Sequence, residues 1–206
     1  MRPVRRLPAA DPRLLSAVWP ACVGALAVLY ANVESGAWTR RSAMAWMMGS
    51  WGARLTVQAL YTRASAPVLA WSRLSPFPTS LLTSHFRLLT FSLFFSLPAL
   101  MASRNPDPSL SSLEIAACAF WAVAFGAETT ADRQFLRFAS NPVNAGLSCR
   151  SGIWRLLPRA HAVCEAAIWM ALALFALASP WGWIALACPA AILYLHRASG
   201  RTAAGS

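Results

Sequence analysis

From Leu14 to Asn32 the chain runs nineteen residues without a charged side chain, and from His161 to His196 its one charged residue is Glu165. A helix needs about 20 predominantly apolar residues to cross the hydrocarbon core of a bilayer. Only 12% of all residues are charged and 57% are hydrophobic, whereas an ordinary soluble domain carries about 25% charged residues. The surplus apolar surface calls for lipid. The expected fold class is therefore all-α, an integral membrane bundle of about six transmembrane helices.

Six spans can be drawn, at about 14–32, 42–61, 86–103, 110–131, 161–178 and 182–196. The last two share one apolar stretch that breaks at "SPWGW", where Pro180 and Gly182 favour a turn and Trp181 and Trp183 suit the membrane interface. The opening "MRPVRRLPAADPR" resembles a signal sequence, but the apolar run behind it is long and no A-x-A-like site closes it, so a retained anchor is expected. Residues 1–13 then form a cytoplasmic segment, 14–198 a single membrane domain and 199–206 a flexible tail. No internal repeat is visible.

All eighteen basic residues are Arg, which points to a GC-rich, bacterial source and an inner-membrane location. With the N-terminus inside, thirteen arginines fall on the inner side: 2, 5, 6, 13, 63, 73, 133, 137, 150, 155, 159, 197 and 201. Arg40, Arg41 and Arg104 fall outside, while Arg54 and Arg87 belong to spans. That bias places both termini in the cytoplasm. It also accounts for the net charge of +11 without a nucleic-acid partner. The five cysteines show no CxxC spacing and indicate neither a disulfide framework nor a zinc site. Glycine-rich nucleotide loops, H-E-x-x-H and G-x-S-x-G are absent.

Ionisable groups inside a span are costly and mark partners or cavities. Arg54 lies about two turns from the inner end of the second span. Glu128 and Asp132 are i,i+4 neighbours closing the fourth, and His161 and Glu165 form another such pair opening the fifth. All converge on the inner side, beside an inner loop at 132–160, and imply a polar cavity open to the cytoplasm. Arg54 is expected to pair with Glu128 or another carboxylate. A second inner loop, 62–84, is rich in Ser and Pro. On the outer side, "SSLE" reads as a capping box with Ser111 as N-cap and Glu114 three residues on. His161, Cys164 and Glu165 have a ligand-like spacing, but the sequence offers no second ligand cluster, so no metal is expected.

Over 125–155, "FGAETTADRQFLRFASNPVNAGLSCRSGIWR", the residues Glu128, Asp132, Gln134, Arg137, Phe138, Asn144, Gly146, Cys149, Gly152, Trp154 and Arg155 follow a known order. The segment resembles the membrane family built on the steroid 5-alpha-reductase C-terminal domain, with its F-E-A-x-A-D-x-Q, R-F and N-x-G-x-x-C-x-x-G-L-W-R. "GSWGARL" at 49–55 is similar to an earlier W-G-x-R-L of that family, and "SLP" at 96–98 fits the end of a preceding span. The likeness covers most of 45–198 and is densest at 125–169.

The resemblance implies NADPH-dependent reduction of a carbon–carbon double bond in a lipophilic molecule, with membrane lipids around the protein. It assigns Arg54, Glu128, Asp132, Asn144, Arg155 and Glu165 to the cofactor site and names no catalytic residue. After Arg155 the chain departs from the family. Where the family continues Y-S-R-H-P-N-Y-x-G-E, this sequence has Leu156, Leu157, Pro158, Arg159, Ala160, His161 and Ala162, then Cys164, and only Glu165 and Trp169 return to pattern. The loss leaves two alternatives open: a non-catalytic membrane scaffold or lipid-binding protein, and an S-adenosylmethionine-dependent methyltransferase of the isoprenylcysteine type. Substrate and oligomeric state are not legible.

Overall fold

The computed structural model describes residues 12–61, 81–144, 146–157 and 159–204. Among them the chain is all-helical, with no strand. Eight α-helices follow in order: α1 (Pro12–Val33), α2 (Trp38–Tyr61), α3 (Leu81–Phe95), α4 (Leu97–Ser103), α5 (Ser112–Ala139), α6 (Ile153–Leu156), α7 (Ala160–Ala176) and α8 (Ala187–Ala204). Short 3-10 turns at Pro142–Asn144 and Gly182–Leu186 punctuate the second half. Of the described helices, α5 is long and apolar enough to cross a membrane, and 17–33 and 160–176 are shorter apolar helices. Residues 1–11, with their arginines, and most of the second inner loop (62–80) lie outside the described residues.

Each apolar segment drawn from the sequence is helical, with three corrections at the ends. The segment at 86–103 is two helices, because the chain turns at Ser96 and restarts with Pro98 in the first turn of α4, a position where the missing N–H costs nothing. The fourth segment runs past 131 to Ala139, so 132–139 belongs to α5 and not to a loop. Arg133 and Arg137 are exposed there, and a solvated charge does not end a helix; Asn141 and Pro142 do. Finally, α8 continues to Ala204, through most of the expected flexible tail.

The first half is built on a close α1–α2 hairpin. A Cβ on Gly52 would lie 2.5 Å from the carbonyl oxygen of Pro20 and 3.2 Å from Cα of Gly24. Only hydrogen fits there, and small residues of this kind let helix backbones meet. In the second half α5, α7 and α8 pack together. Four buried rings join the halves: Trp51 meets Trp19 and Trp169 edge to face at 5.6 and 5.1 Å, and Phe95 meets the same two at 5.5 and 4.7 Å. Trp169, one of the residues that returned to the family pattern, is thus a core residue. At "SPWGW", Trp181 takes a left-handed conformation with φ 62°, and Trp181 and Trp183 both point outward.

Candidate functional site

Four helices bring six ionisable side chains together. Arg54 comes from α2, Glu128 and Asp132 from α5, His161 and Glu165 from α7, and His196 from α8. The i,i+4 spacing within α5 and within α7 puts each pair on one helix face, and the α5–α7 contact turns those faces toward each other. Arg54 Nη2 donates to Glu128 Oε2, and Nη1 donates to Asp132 Oδ2 at 2.7 Å. Its guanidinium also stands over the Phe125 ring, 5.1 Å from the centroid.

His161 sits between the carboxylates. Its Nδ1 is 3.4 Å from Glu128 Oε1 and 3.4 Å from Asp132 Oδ1, and its Nε2 is 3.5 Å from Glu165 Oε2. His196 Nε2 shares that last oxygen at 3.0 Å. The sequence pointed to an open cavity here, whereas these groups are packed: Glu128 is 0% exposed, Glu165 2%, His161 5% and Asp132 7%. Within the packing two facing atoms, Glu128 Oε1 and His161 Nδ1, make no hydrogen bond among the described residues. The arrangement is made of carboxylates, imidazoles and one guanidinium. It can pass a proton across the two nitrogens of His161, or hold a cation among its oxygens.

The segment above the cluster is folded back onto the end of α5. Trp154 Nε1 donates to the carbonyl of Ala131 at 2.9 Å, and the Ile153 amide donates to Gln134 Oε1 at 2.9 Å. Gly152 has φ 57°, and a Cβ there would run into the Gln134 side chain at 2.5 Å. Glycine, Trp154 and Gln134 of the family-like pattern are therefore one clasp that seats this segment. Arg133, Arg137, Arg150, Arg155 and Arg159 are all exposed.

Of the six residues assigned from the sequence, the structure brings four together: Arg54, Glu128, Asp132 and Glu165. The other two stand apart. Asn144 donates to the Phe138 carbonyl at 2.9 Å and so caps the end of α5, while Arg155 is exposed on α6. The expected Arg54–Glu128 pair is present, and Asp132 joins it. His196 went unrecognised, because nothing in the local sequence links it to a carboxylate 31 residues earlier. The sequence lacked a second ligand element for His161 and Glu165. The fold supplies one in Glu128, and the three residues offer ligand atoms within 4.8 Å of one another. That set contains no cysteine, so the spacing of Cys164 does not translate into a shared site.

No curated protein and no solved structure matches the chain. A family model described as "Protein of unknown function (DUF1295)" matches residues 9–202. Nearly the whole fold, including every residue of the ionisable cluster, lies within that match, and the chain belongs to the DUF1295 family.

Proposed function

We propose that the protein is a multi-pass membrane oxidoreductase of the steroid 5-alpha-reductase-like type, to which its family is related. It reduces a carbon–carbon double bond in a lipophilic substrate at the expense of NADPH. Several features support its place in a bilayer. Large apolar side chains face outward along the helices, among them Leu29, Trp46, Phe86 and Val123, and contiguous apolar surface on this scale needs a cover. The arginine bias supports cytoplasmic termini, and we take the membrane to be a bacterial inner membrane.

The observation that carries the reading is the coincidence of the buried ionisable cluster with the exposed arginines that follow it along α5, α6 and the start of α7. NADPH, when bound, supplies a hydride. The residues of this chain divide the remaining work. Exposed guanidinium groups, Arg155 among them, suit phosphate oxygens as bidentate donors. Glu128, Asp132 and Glu165 face inward onto Arg54, His161 and His196, which suits them to holding a proton for the reacting carbon better than to gripping a ribose. Leu156 and Leu157 stand where the family has polar residues, and both are exposed. The dinucleotide grip is therefore weak.

The test is a titration of purified protein in detergent with NADPH and, separately, with S-adenosylmethionine. Saturable NADPH binding that weakens in Arg155→Ala supports the proposal. Binding of S-adenosylmethionine alone would move the protein to the methyltransferase class. Binding of neither would leave the scaffold reading.

A further inference from the structure

The cluster carries more negative charge than its arginine can balance. Glu128, Asp132 and Glu165 contribute three carboxylates, and among the described residues Arg54 is the one permanently charged cation bonded to them. The two imidazoles complete the cluster, His161 Nδ1 at 3.4 Å from Glu128 and from Asp132 and His196 Nε2 at 3.0 Å from Glu165. Buried charges are paired or coordinate metals, and either a proton on an imidazole or a bound cation supplies the balance here.

The geometry points to a metal site formed by Glu128, His161 and Glu165, taking a first-row divalent transition-metal ion through two carboxylate oxygens and one imidazole nitrogen. Four observations converge on it. First, of the three cluster atoms left without a hydrogen bond among the described residues, Arg54 Nε, Glu128 Oε1 and His161 Nδ1, the last two are ligand types, and they face each other from different helices. Their separation is 3.4 Å, and an ion about 2.0–2.2 Å from each of two ligands at a tetrahedral angle sets them roughly 3.3–3.6 Å apart. Second, Glu128, His161 and Glu165 offer ligand atoms within 4.8 Å of one another; Glu165 meets His161 on its Nε2 edge at 3.5 Å, so a side-chain shift is required to complete the set.

Third, the opposite edges of the ligands are already held. Arg54 donates to Glu128 Oε2, leaving Oε1 for the ion, and His196 Nε2 is 3.0 Å from Glu165 Oε2. Outer contacts of this kind orient metal ligands in established sites. Fourth, Asp132 Oδ1, also 3.4 Å from His161 Nδ1, stands by as a further oxygen. A mixed carboxylate–imidazole set suits Zn2+, Mn2+ or Fe2+ and disfavours soft Cu+.

The inference does not depend on the dinucleotide reading. Protein purified in detergent, stripped with a chelator and freed of it, is titrated with Zn2+ by calorimetry and with Co2+ by visible absorption. One equivalent of each should bind, with Co2+ developing d–d bands. Glu165→Gln and His161→Gln should each weaken Zn2+ by roughly a hundredfold or more, and His196→Ala by roughly 10–100-fold through lost orientation. Cys149→Ser should leave affinity unchanged, and Zn2+ should raise the unfolding midpoint of the unmodified protein but not of Glu165→Gln. Absence of stoichiometric binding would overturn the site and leave protons on the histidines as the balancing charge. Unchanged affinity in Glu165→Gln, or loss in Cys149→Ser, would overturn it too. Should His161→Gln not fold, Glu165→Gln and the Co2+ spectrum of the unmodified protein decide. No dinucleotide is present in these titrations, so their failure and that of the NADPH titration are separable.

Discussion

Arg40 and Arg54 stand fourteen residues apart on α2, and Glu114 and Glu128 stand fourteen apart on α5. Each arginine is paired with the glutamate at its own level, so the two helices are bridged twice. Fourteen residues of helix is close to four turns and about 21 Å, which keeps both pairs on similar faces. The bridges differ in how completely they are satisfied. Every nitrogen of Arg40 is bonded. Nε and Nη2 reach the two oxygens of Glu114, Nη2 also reaches the Ser109 carbonyl, and Nη1 reaches that of Asp107. Glu114 accepts in addition from the Ser111 amide at 2.7 Å, within a complete capping box. One positive and one negative charge close the account there. At the other bridge Arg54 Nε, Glu128 Oε1 and His161 Nδ1 are all left without a hydrogen bond among the described residues, and carboxylates outnumber arginine three to one. The first bridge is neutral and saturated; the second leaves donors and acceptors over.

The largest expected effect breaks the saturated pair. Arg40→Leu strands Glu114 at 0% exposure and uncovers two backbone carbonyls, and removing one partner of a buried ion pair costs about 3–5 kcal/mol. Glu128→Gln should behave differently, since the amide can still accept from Arg54 while one surplus charge disappears. A change of under about 1 kcal/mol, of either sign, is expected for it, the range of a substitution that leaves no buried group newly unpaired. Unfolding midpoints in detergent compare the two directly. A loss for Glu128→Gln as large as that for Arg40→Leu would make both bridges structural.

How much of this contrast was legible in the sequence follows from what a linear pattern encodes. Uncharged runs mark helices well, because apolar length is a property of the run itself, and each such segment is helical. Pairing between Arg54 and Glu128 was also expected, since both carry a charge at similar depth in a span. Arg40 was counted as an outer-loop arginine, because "TRRS" carries adjacent charges next to a span; the helix in fact starts at Trp38, and Arg40 is 2% exposed. The end of α5 lies beyond the point where the apolar run stops at the Glu128–Asp132 pair, because the helix continues with a polar, exposed face to Ala139. His196 stayed out of reach because helix rotation about its own axis decides whether it meets Glu165, and that is set by packing across the α7–α8 turn.

A middle-sized effect sharpens the comparison at the Arg54 bridge. Arg54→Leu removes the cation from two carboxylates at once, and on the membrane reading proposed above an unpaired charge costs roughly 2.5–3.5 kcal/mol on insertion scales. Adding Glu128→Gln should recover part of that loss, with a coupling of about 1–3 kcal/mol as for residues in one ion-pair network. The recovery should be incomplete, because Asp132 remains. Additive behaviour of the two substitutions in unfolding measurements would mean that the contact contributes no net stability.

The smallest effect lies on the exposed rim of the saturated bridge, in the loop between α4 and α5. Asp107 Oδ1 accepts from the Ser109 hydroxyl at 2.7 Å and from its amide at 2.9 Å. The hydroxyl first and the amide second hold the Asp107 carboxyl below the usual carboxylate range. A group whose pKa is depressed on folding contributes stability that is fully present above its unfolded pKa, about 3.9 for Asp, and is lost as pH falls through the lower folded value. Unfolding midpoints for the unmodified protein and for Asp107→Asn should therefore differ by a constant amount between roughly pH 7 and pH 5, with the gap closing below about pH 4. In Ser109→Ala the largest cause of the depression is gone, so its own gap from Asp107→Asn should be smaller and should close at higher pH. Arg40 holds the Asp107 carbonyl and not its carboxylate, so both variants should leave the Arg40–Glu114 pair intact and retain most of the midpoint that Arg40→Leu loses. A gap that persists undiminished to pH 3 would show that the Asp107 charge has no part in fixing the turn over the Arg40–Glu114 bridge.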